Sequence, residues 1–503
     1  MIEFRGKRTA DQGTIDALFY PRTVAVIGAS SDNEKERSQG WVGRLLRCGF
    51  QGKIIPVNPT AKEILNLKAY PSVTAIPDSV DYAIISVPAP LVAKVIEDCV
   101  KKGVKAVHTY TAGFAETGTE EGRRLQLELG EIIQGSQTRL IGPNCLGIYC
   151  PKSGIAMDGR FSKESGPIGF LSQTGTGLVQ LVSEANARGL RFSKAVSFGN
   201  AVDLDGPDFL QYFASDEETK FILVYVEGVK DGQRFFRTLR ECNTVKPVVF
   251  LKGGMSESGA GVASSHTGSM AGSRQVWQAL FRQTGVIAVQ SFEEAVEQMV
   301  ALTHMAPPGG RRVGIVGRGG GVGVITTDLC EREGLVVPEF TAEVRKCLNK
   351  MTPQGSGSMT RNPVEIGLGR FGVSEHYVEA LGLVDTDPNV DFTLTFLDPE
   401  QYVEHIKEGW VEGAKRSLIE AAKRLKKPLI VVFKPGSSAK VFEWNGELQR
   451  ACQEAGLPTY KSLETAVRAA SKLITYYEFK SGMNCNEGSG YAHEPEHPSP
   501  SKD

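Results

Sequence analysis

No run of about 18 apolar residues occurs in this 503-residue chain, so no transmembrane helix is expected. The opening stretch MIEFRGKRTADQGTIDALF lacks the apolar core of a signal peptide. An excess of one charge is also missing, since 57 basic residues stand against 58 acidic ones. That balance leaves no electrostatic footprint for nucleic acid or an anionic membrane surface. The nine cysteines, spread from Cys48 to Cys485, form no CxxC pair, which predicts reduced thiols in a cytoplasmic protein. The seven histidines do not cluster with them, so no metal site is expected. Two nucleotide signatures are lacking as well. No GxGxxG follows the first apolar strand, and the triple glycine at 319–321 has no GK[ST] ending, which argues against a P-loop.

What is present is one repeated rhythm. A short β-branched run ends in Gly, Asn or Pro, and an amphipathic stretch follows, as in βα units of parallel sheets. With 41% hydrophobic residues, the chain can bury several cores. Strands are predicted at VAVIG (24–28), KIIPVN (53–58), YAIISVP (82–88), AVHTYTAG (106–113) and RLIGPN (139–144). A second set comprises IGFLSQ (168–173), FSKAVSF (192–198), FILVYVEG (221–228), PVVFLKGG (247–254) and VIAVQ (286–290). The hinge APPGGRR (306–312) precedes a third set, beginning at RRVGIVGRGGGVGV (311–324). The expected division is an α/β domain at 1–150, a second at 151–306 and a third at 307–478. Residues 479–503, polar and rich in Gly, Ser, Pro and Glu, read as a disordered tail.

In the first domain, Gly28 ends a strand and lets backbone approach a phosphate, with the next helix N-terminus supplying N–H donors. An ordinary tight βα turn is the plainer reading. A carboxylate that would hold the ribose of NAD is missing after the second strand, where PVNPT (56–60) stands. That weighs against a nicotinamide oxidoreductase. The third strand ends in VPAP (87–90) and the fifth in GPNCLG (142–147), so the carboxyl edge is lined by Pro, Asn and small residues. Such an edge suits a ligand with adenine, pyrophosphate and a long thin arm.

In the second domain, KGGMSESGAGVASSHTGSMAGS (252–273) holds a single histidine, His266, among Gly, Ser, Ala and Thr. A lone histidine is ordinarily a surface or core residue. Here the flanks predict an open, mobile loop, hydroxyls that can hold phosphate oxygens, and an imidazole able to accept a phosphoryl group. Glu227 closes the strand FILVYVEG and is the candidate carboxylate to fix the histidine tautomer, with a solvated loop acid as the alternative. LSQTGTGLVQLV (171–182) reads as a strand–turn–helix transition. Amides near Thr174 to Gly177 could hold a phosphate there, although a plain Ser/Thr N-cap would look the same.

Taken in order, GAS, PVNP, VPAP, TAGFAETG (111–118) and GPNCLG resemble the CoA-binding domain of ADP-forming acyl-CoA synthetases and the succinyl-CoA synthetase α subunit. SQTG resembles that family's phosphate-site helix start, SSHTGSMAG its phosphohistidine loop, YVEG its supporting glutamate, and SFGNAVDLD (197–205) a further loop. The resemblance runs over about residues 17–478. It implies a Rossmann-like CoA-binding domain followed by two flavodoxin-like ligase domains. It places CoA contacts on Gly28, Ser30, Asn58, Pro59, Val87, Pro88, Glu116 and Asn144. It places phosphate contacts on Ser172, Gln173, Thr174, Gly175, Thr176 and Gly177, and catalysis on His266 and Glu227. Cys145 is read as structural. Arg318 and Glu365 stand where the family usually has Asn and Asp.

The implied reaction is acyl-CoA + phosphate + ADP or GDP ⇌ carboxylic acid + CoA + ATP or GTP, through an acyl phosphate and phosphorylated His266. No ATP-grasp domain is left over, so ATP/ADP and Mg²⁺ are expected on a partner β subunit, in an α2β2-type hetero-oligomer. The competing expectation is a catalytically silent CoA-binding regulatory or scaffold protein.

Overall fold

The computed structural model describes residues 12–267, 272–351, 360–366, 375–403 and 409–482. Three large sheets, parallel except for one edge strand, follow one another along the chain. In the first, the strands run in the order Lys53–Val57, Thr23–Ile27, Tyr82–Ile85, Ala106–Thr109, Arg139–Ile141. All are parallel, as the β-branched runs predict. Alternate residues explain why these runs are apolar throughout. Val24, Val26 and Ile84 face one cluster, while Ala25, Ile27, Ala83 and Ile85 face the other. A parallel sheet covered on both faces needs apolar side chains at every position.

The second sheet runs Ile287–Val289, Val248–Lys252, Phe221–Val226, Ile168–Ser172, Phe192–Ser197, Gly147–Tyr149. Its last strand is antiparallel, pairing Tyr149 with Ala195 and Gly147 with Ser197. No predicted strand covers this edge strand, which hands the chain from the first sheet to the second. The third sheet runs Val364–Glu365, Val313–Gly317, Phe392–Leu397, Leu429–Phe433, Thr459–Tyr460. Ile315, Leu394 and Ile430 join the cluster shared with the second sheet, and Val316 and Val431 face a cluster of their own around Trp410.

The first two sheets share packing as well as chain. Trp41, Tyr82 and Ile141 belong to the same apolar cluster as Ile148, Phe170 and Phe192. Arg139 on the first sheet pairs with Asp203 beyond the second, Nε to Oδ2 at 2.8 Å and Nη2 to Oδ1 at 2.9 Å. The helix Gln12–Phe19, also unanticipated, docks Phe19 on Tyr212 with ring centroids 5.4 Å apart. The last helix, Leu463–Lys480, is capped by Ser462, whose hydroxyl accepts the N–H of Thr465. It runs two residues past the expected end of the third domain. Residues 483–503, most of the expected tail, lie outside the described residues. No helix among the described residues is long and apolar enough to cross a membrane.

Candidate functional site

In open α/β sheets, ligands sit beyond the strand carboxyl ends where the strand order reverses. In the first sheet that point lies between Thr23–Ile27 and Tyr82–Ile85. Gly28 occupies it with φ +89°, and a Cβ there would come within 2.5 Å of the Ser86 carbonyl oxygen. Only glycine lets these strand ends close up this far. Asn58 ties the neighbouring turn to the same loop, its Nδ2 donating to the Ala29 carbonyl at 2.9 Å. Its Oδ1 accepts the N–H groups of Thr60 and Ala61. Pro59 stands exposed on that turn. Val87 accepts the Thr111 hydroxyl on its carbonyl, and Pro88 leads into the helix Ala89–Lys102.

Two of the residues assigned to CoA spend their polar groups inside the protein. The Ser30 N–H donates at 2.7 Å to Glu36, which is only 2% exposed and also accepts from Val42 N–H. Glu116 accepts the N–H groups of Gly113 and Phe114 on one oxygen and the Asn200 side-chain amide on the other. Glu116 therefore joins the first domain's 113–117 turn to the second domain. Asn144, at φ +55°, reaches the same Asn200 at 3.4 Å.

The reversal in the second sheet falls between Ile168–Ser172 and Phe221–Val226. Their carboxyl ends carry Gln173 and Glu227. The Gln173 side-chain oxygen accepts the N–H of Glu227 at 2.7 Å and of Gly228 at 3.1 Å. Ser172 turns its hydroxyl back onto the Thr174 carbonyl. Thr174 is the N-cap of the helix Gly175–Ala187 and makes no side-chain cap bond, so no side chain covers the amides of Gly175, Thr176 and Gly177 from the cap position. Glu227 is 6% exposed, and its Oε1 accepts the Tyr225 hydroxyl at 3.1 Å. Burial and the Glu227 charge together push the Tyr225 phenol up, which keeps it a donor.

Beside the second reversal lies a cavity of about 530 Å³, lined among others by Tyr110, Thr111, Asn144, Thr174, Thr176 and Asn200. It joins the fifth strand's turn to the uncapped helix start, and among the described residues no charged side chain lines it. Cys145 touches the cavity, but burial pushes its thiol up and the thiol donates to the Thr109 carbonyl, consistent with a structural role.

The Gly/Ser-rich segment differs from expectation. Instead of an open loop, residues Glu257–Thr267 form a helix, and His266 lies in its last turn. Ser256 starts it by accepting the Gly259 N–H on its hydroxyl and the Ala260 N–H on its carbonyl, and Glu257 sits in the first turn. The helix packs against the Ala115–Thr117 turn of the first domain. The side chain of His266 lies outside the described residues.

Two family descriptions match this layout. A CoA binding domain matches residues 22–151, and a succinyl-CoA ligase-like flavodoxin domain matches residues 165–302. The chain is 36% identical to the acetate–CoA ligase (ADP-forming) I subunit alpha of Pyrococcus furiosus, over 93% of this chain and 98% of that one. This chain belongs to the ADP-forming acyl-CoA synthetase family. It is 38% identical to the ADP-forming acetate–CoA ligase I of Archaeoglobus fulgidus over 92% of its own length, but spans only 64% of that longer protein. The dinucleotide-forming acetyl-coenzyme A synthetase 1 of Ca. Korarchaeum cryptofilum, in complex with phosphate and ADP, superposes with a TM-score of 0.80 at 32% identity. That match covers 93% of this chain and 97% of the other.

For a synthetase of this family, the structure brings Glu227, Gln173, Asn144 and the uncapped helix start to one junction between domains. Gly28, Asn58, Val87 and Pro88 sit at the first sheet's reversal. Sequence reasoning missed Glu36 and Lys252, both buried. Lys252 carried a readable signal, because it ends an apolar strand just as Glu227 does. In the third domain Arg318 is exposed beside the triple glycine, and a Cβ on Gly320 would approach Glu365 to 3.5 Å.

Proposed function

We propose that this chain is the CoA-binding, phosphoryl-carrying α subunit of an NDP-forming acyl-CoA synthetase. It would interconvert acyl-CoA, phosphate and ADP or GDP with carboxylic acid, CoA and ATP or GTP. The observation that carries this reading is the cavity joining the Asn144 turn of the CoA-type domain to the uncapped start of helix Gly175–Ala187. CoA lies over the first sheet's reversal, with its thioester directed into the cavity. Gly28 gives backbone clearance there, and the turns of Asn58, Pro59, Val87 and Pro88 line the edge. Ser30 can offer its N–H to a ligand phosphate only if Glu36 gives way.

Inorganic phosphate is held by the amides of residues 175–177 and the Thr174 and Thr176 hydroxyls. The helix dipole adds about 0.3–1 kcal/mol, and up to ~2 kcal/mol where partly buried. A phosphate oxygen attacks the thioester carbonyl, and the C–S bond breaks to release CoA thiolate and an acyl phosphate. A ring nitrogen of His266 then attacks phosphorus, releasing the carboxylate. Glu227 accepts the N–H of the other ring nitrogen and stabilises the cation that forms. Splitting the transfer this way keeps each step reversible.

Transfer from His266 to ADP or GDP needs a nucleotide site, and we assign it, with Mg²⁺, to an ATP-grasp β subunit in an α2β2-type cytoplasmic assembly. The silent-scaffold reading is not favoured, because the relatives that match nearly the whole chain are named as ligases.

A calorimetric titration of the full chain with CoA tests the first step. Binding that weakens on Asn58→Ala and is unaffected by NAD is expected. Absence of CoA binding, or tight NAD binding, overturns the assignment.

A further inference from the structure

Lys252 is a buried cation that the mechanism above does not use. It is the last residue of Val248–Lys252 and lies opposite Val226 in the sheet. The ladder ends there, with the Gly253 N–H donating to the Val226 carbonyl at 2.9 Å. Beyond that point the two chains part. One makes the Glu227 turn, and the other leads through Gly253 and Gly254 to the helix that carries His266. The Lys252 side chain folds over the parting. Its Nζ donates to the Glu227 carbonyl at 2.8 Å and to the Gly253 carbonyl. It also sits 5.0 Å from the ring centroid of Trp277, on the helix Arg274–Thr284 that follows the histidine segment. One ammonium thus touches the carboxylate's turn, the entry to the histidine helix and the helix after it.

A lysine 5% exposed is costly to keep charged, and a methionine would fill the same volume without that cost. Its use must then lie in what the charge holds. Packing around it is close: a Cβ on Gly253 would come within 2.5 Å of the Tyr225 hydroxyl and 3.3 Å of Glu227 Cγ.

We infer that Lys252 is a positioning residue for phosphoryl transfer, whose buried ammonium clamps the Glu227 and Gly253 carbonyls and so fixes the direction of the Glu227 carboxylate. The inference rests on the role given to Glu227 and His266 above. Among the described residues, the titratable group acting on Lys252 is Glu227 on the turn, itself bonded to the Tyr225 hydroxyl, and the Arg274–Thr284 helix offers the uncharged Trp277 ring. Burial pulls the ammonium down to about 8, and the Glu227 charge opposes that pull. The clamp is therefore largely charged at neutral pH and weakens as pH rises through about 8, when the neutral amine keeps only uncharged N–H donors.

The test is the rate of ³²P incorporation into His266 when the full chain is given acetyl-CoA and labelled inorganic phosphate, followed from pH 6.5 to 9.5. The wild type should show a falling limb near the Lys252 titration. Lys252→Met should label about 30-fold more slowly at pH 7, since a misdirected catalytic group costs on that order. CoA binding should be unchanged, and the limb should be gone. Lys252→Arg keeps its charge and should recover at least about tenfold of that loss, again with no limb. Wild-type labelling in a CoA-competent Lys252→Met overturns the inference, as does a limb that persists in either variant. If Lys252→Met does not bind CoA, the limb in Lys252→Arg decides alone. A wild type that takes no label at His266 instead overturns the phosphohistidine reading, and the inference with it.

Discussion

The side-chain oxygen of Gln173 accepts the backbone N–H of Glu227 at 2.7 Å, so the turn that opens the helix Gly175–Ala187 and the turn that carries the candidate carboxylate are bonded to each other. The same oxygen serves Gly228. Gln173→Leu removes the acceptor of two buried amides, and each buried unmet donor costs about 1–3 kcal/mol. A loss of roughly 2–4 kcal/mol in denaturant unfolding is expected, with slower labelling of His266. Gln173→Glu retains an acceptor and should lose less than half as much. Equal stability of Gln173→Leu and the wild type would show that the link carries no load.

Arg139 and Asp203 hold the first and second sheets together through a two-pronged pair, and Asp203 also accepts the Leu140 N–H at 2.9 Å. Both side chains are largely buried. Asp203→Ala should cost roughly 3–5 kcal/mol, because it leaves a buried guanidinium with its main counter-ion gone. The expected sign is early release of the first domain, visible as faster amide exchange in the strand Arg139–Ile141. Unchanged exchange there would contradict the pair's role.

Gly28→Ala places a methyl against the Ser86 carbonyl oxygen in a backbone region that costs non-glycine residues about 1–3 kcal/mol. The strand end must shift, and CoA affinity should fall at least about tenfold while the second and third domains remain folded. Calorimetry with CoA, paired with a far-ultraviolet spectrum, measures both. Wild-type affinity would remove the first sheet's reversal from the CoA site.

His108 lies wholly buried in the first sheet, its Nε2 3.1 Å from the Cys145 carbonyl, and burial pulls its imidazole down to about 4. The unfolded chain binds a proton near 6.5, whereas the folded one does so only near 4. Stability tied to this residue is therefore full above about pH 6.5 and falls as pH drops towards 4, by about 3 kcal/mol in all. His108→Phe should flatten that limb in urea unfolding series at pH 7, 5.5 and 4.5. An unchanged slope would show that other groups set the acid limit.

Much of this layout could be read from residues that close strands. Gly28, Asn58, Pro88, Gln173 and Glu227 follow short β-branched runs, and parallel sheets put such positions on one edge. The three-residue antiparallel strand Gly147–Tyr149 was not legible, because pairing of so short a piece is set by its neighbours. The helix Glu257–Thr267 was masked by its Gly and Ser content. Its start at Ser256 is a local signal that outweighs those propensities once the flanking strand fixes the entry. Glu36, the Glu116–Asn200 bond and the Lys252 clamp depend on side chains meeting across distant segments, and no periodicity encodes that.

Phosphate carriage by His266 is tested most directly by transfer from labelled ATP. The full chain, mixed with an ATP-grasp β subunit of the family, Mg²⁺ and γ-³²P-ATP, should acquire an acid-labile, base-stable label. That label should map to His266, vanish in His266→Asn and discharge on adding CoA with acetate. A label on another residue, one that survives His266→Asn, or none at all would contradict the account.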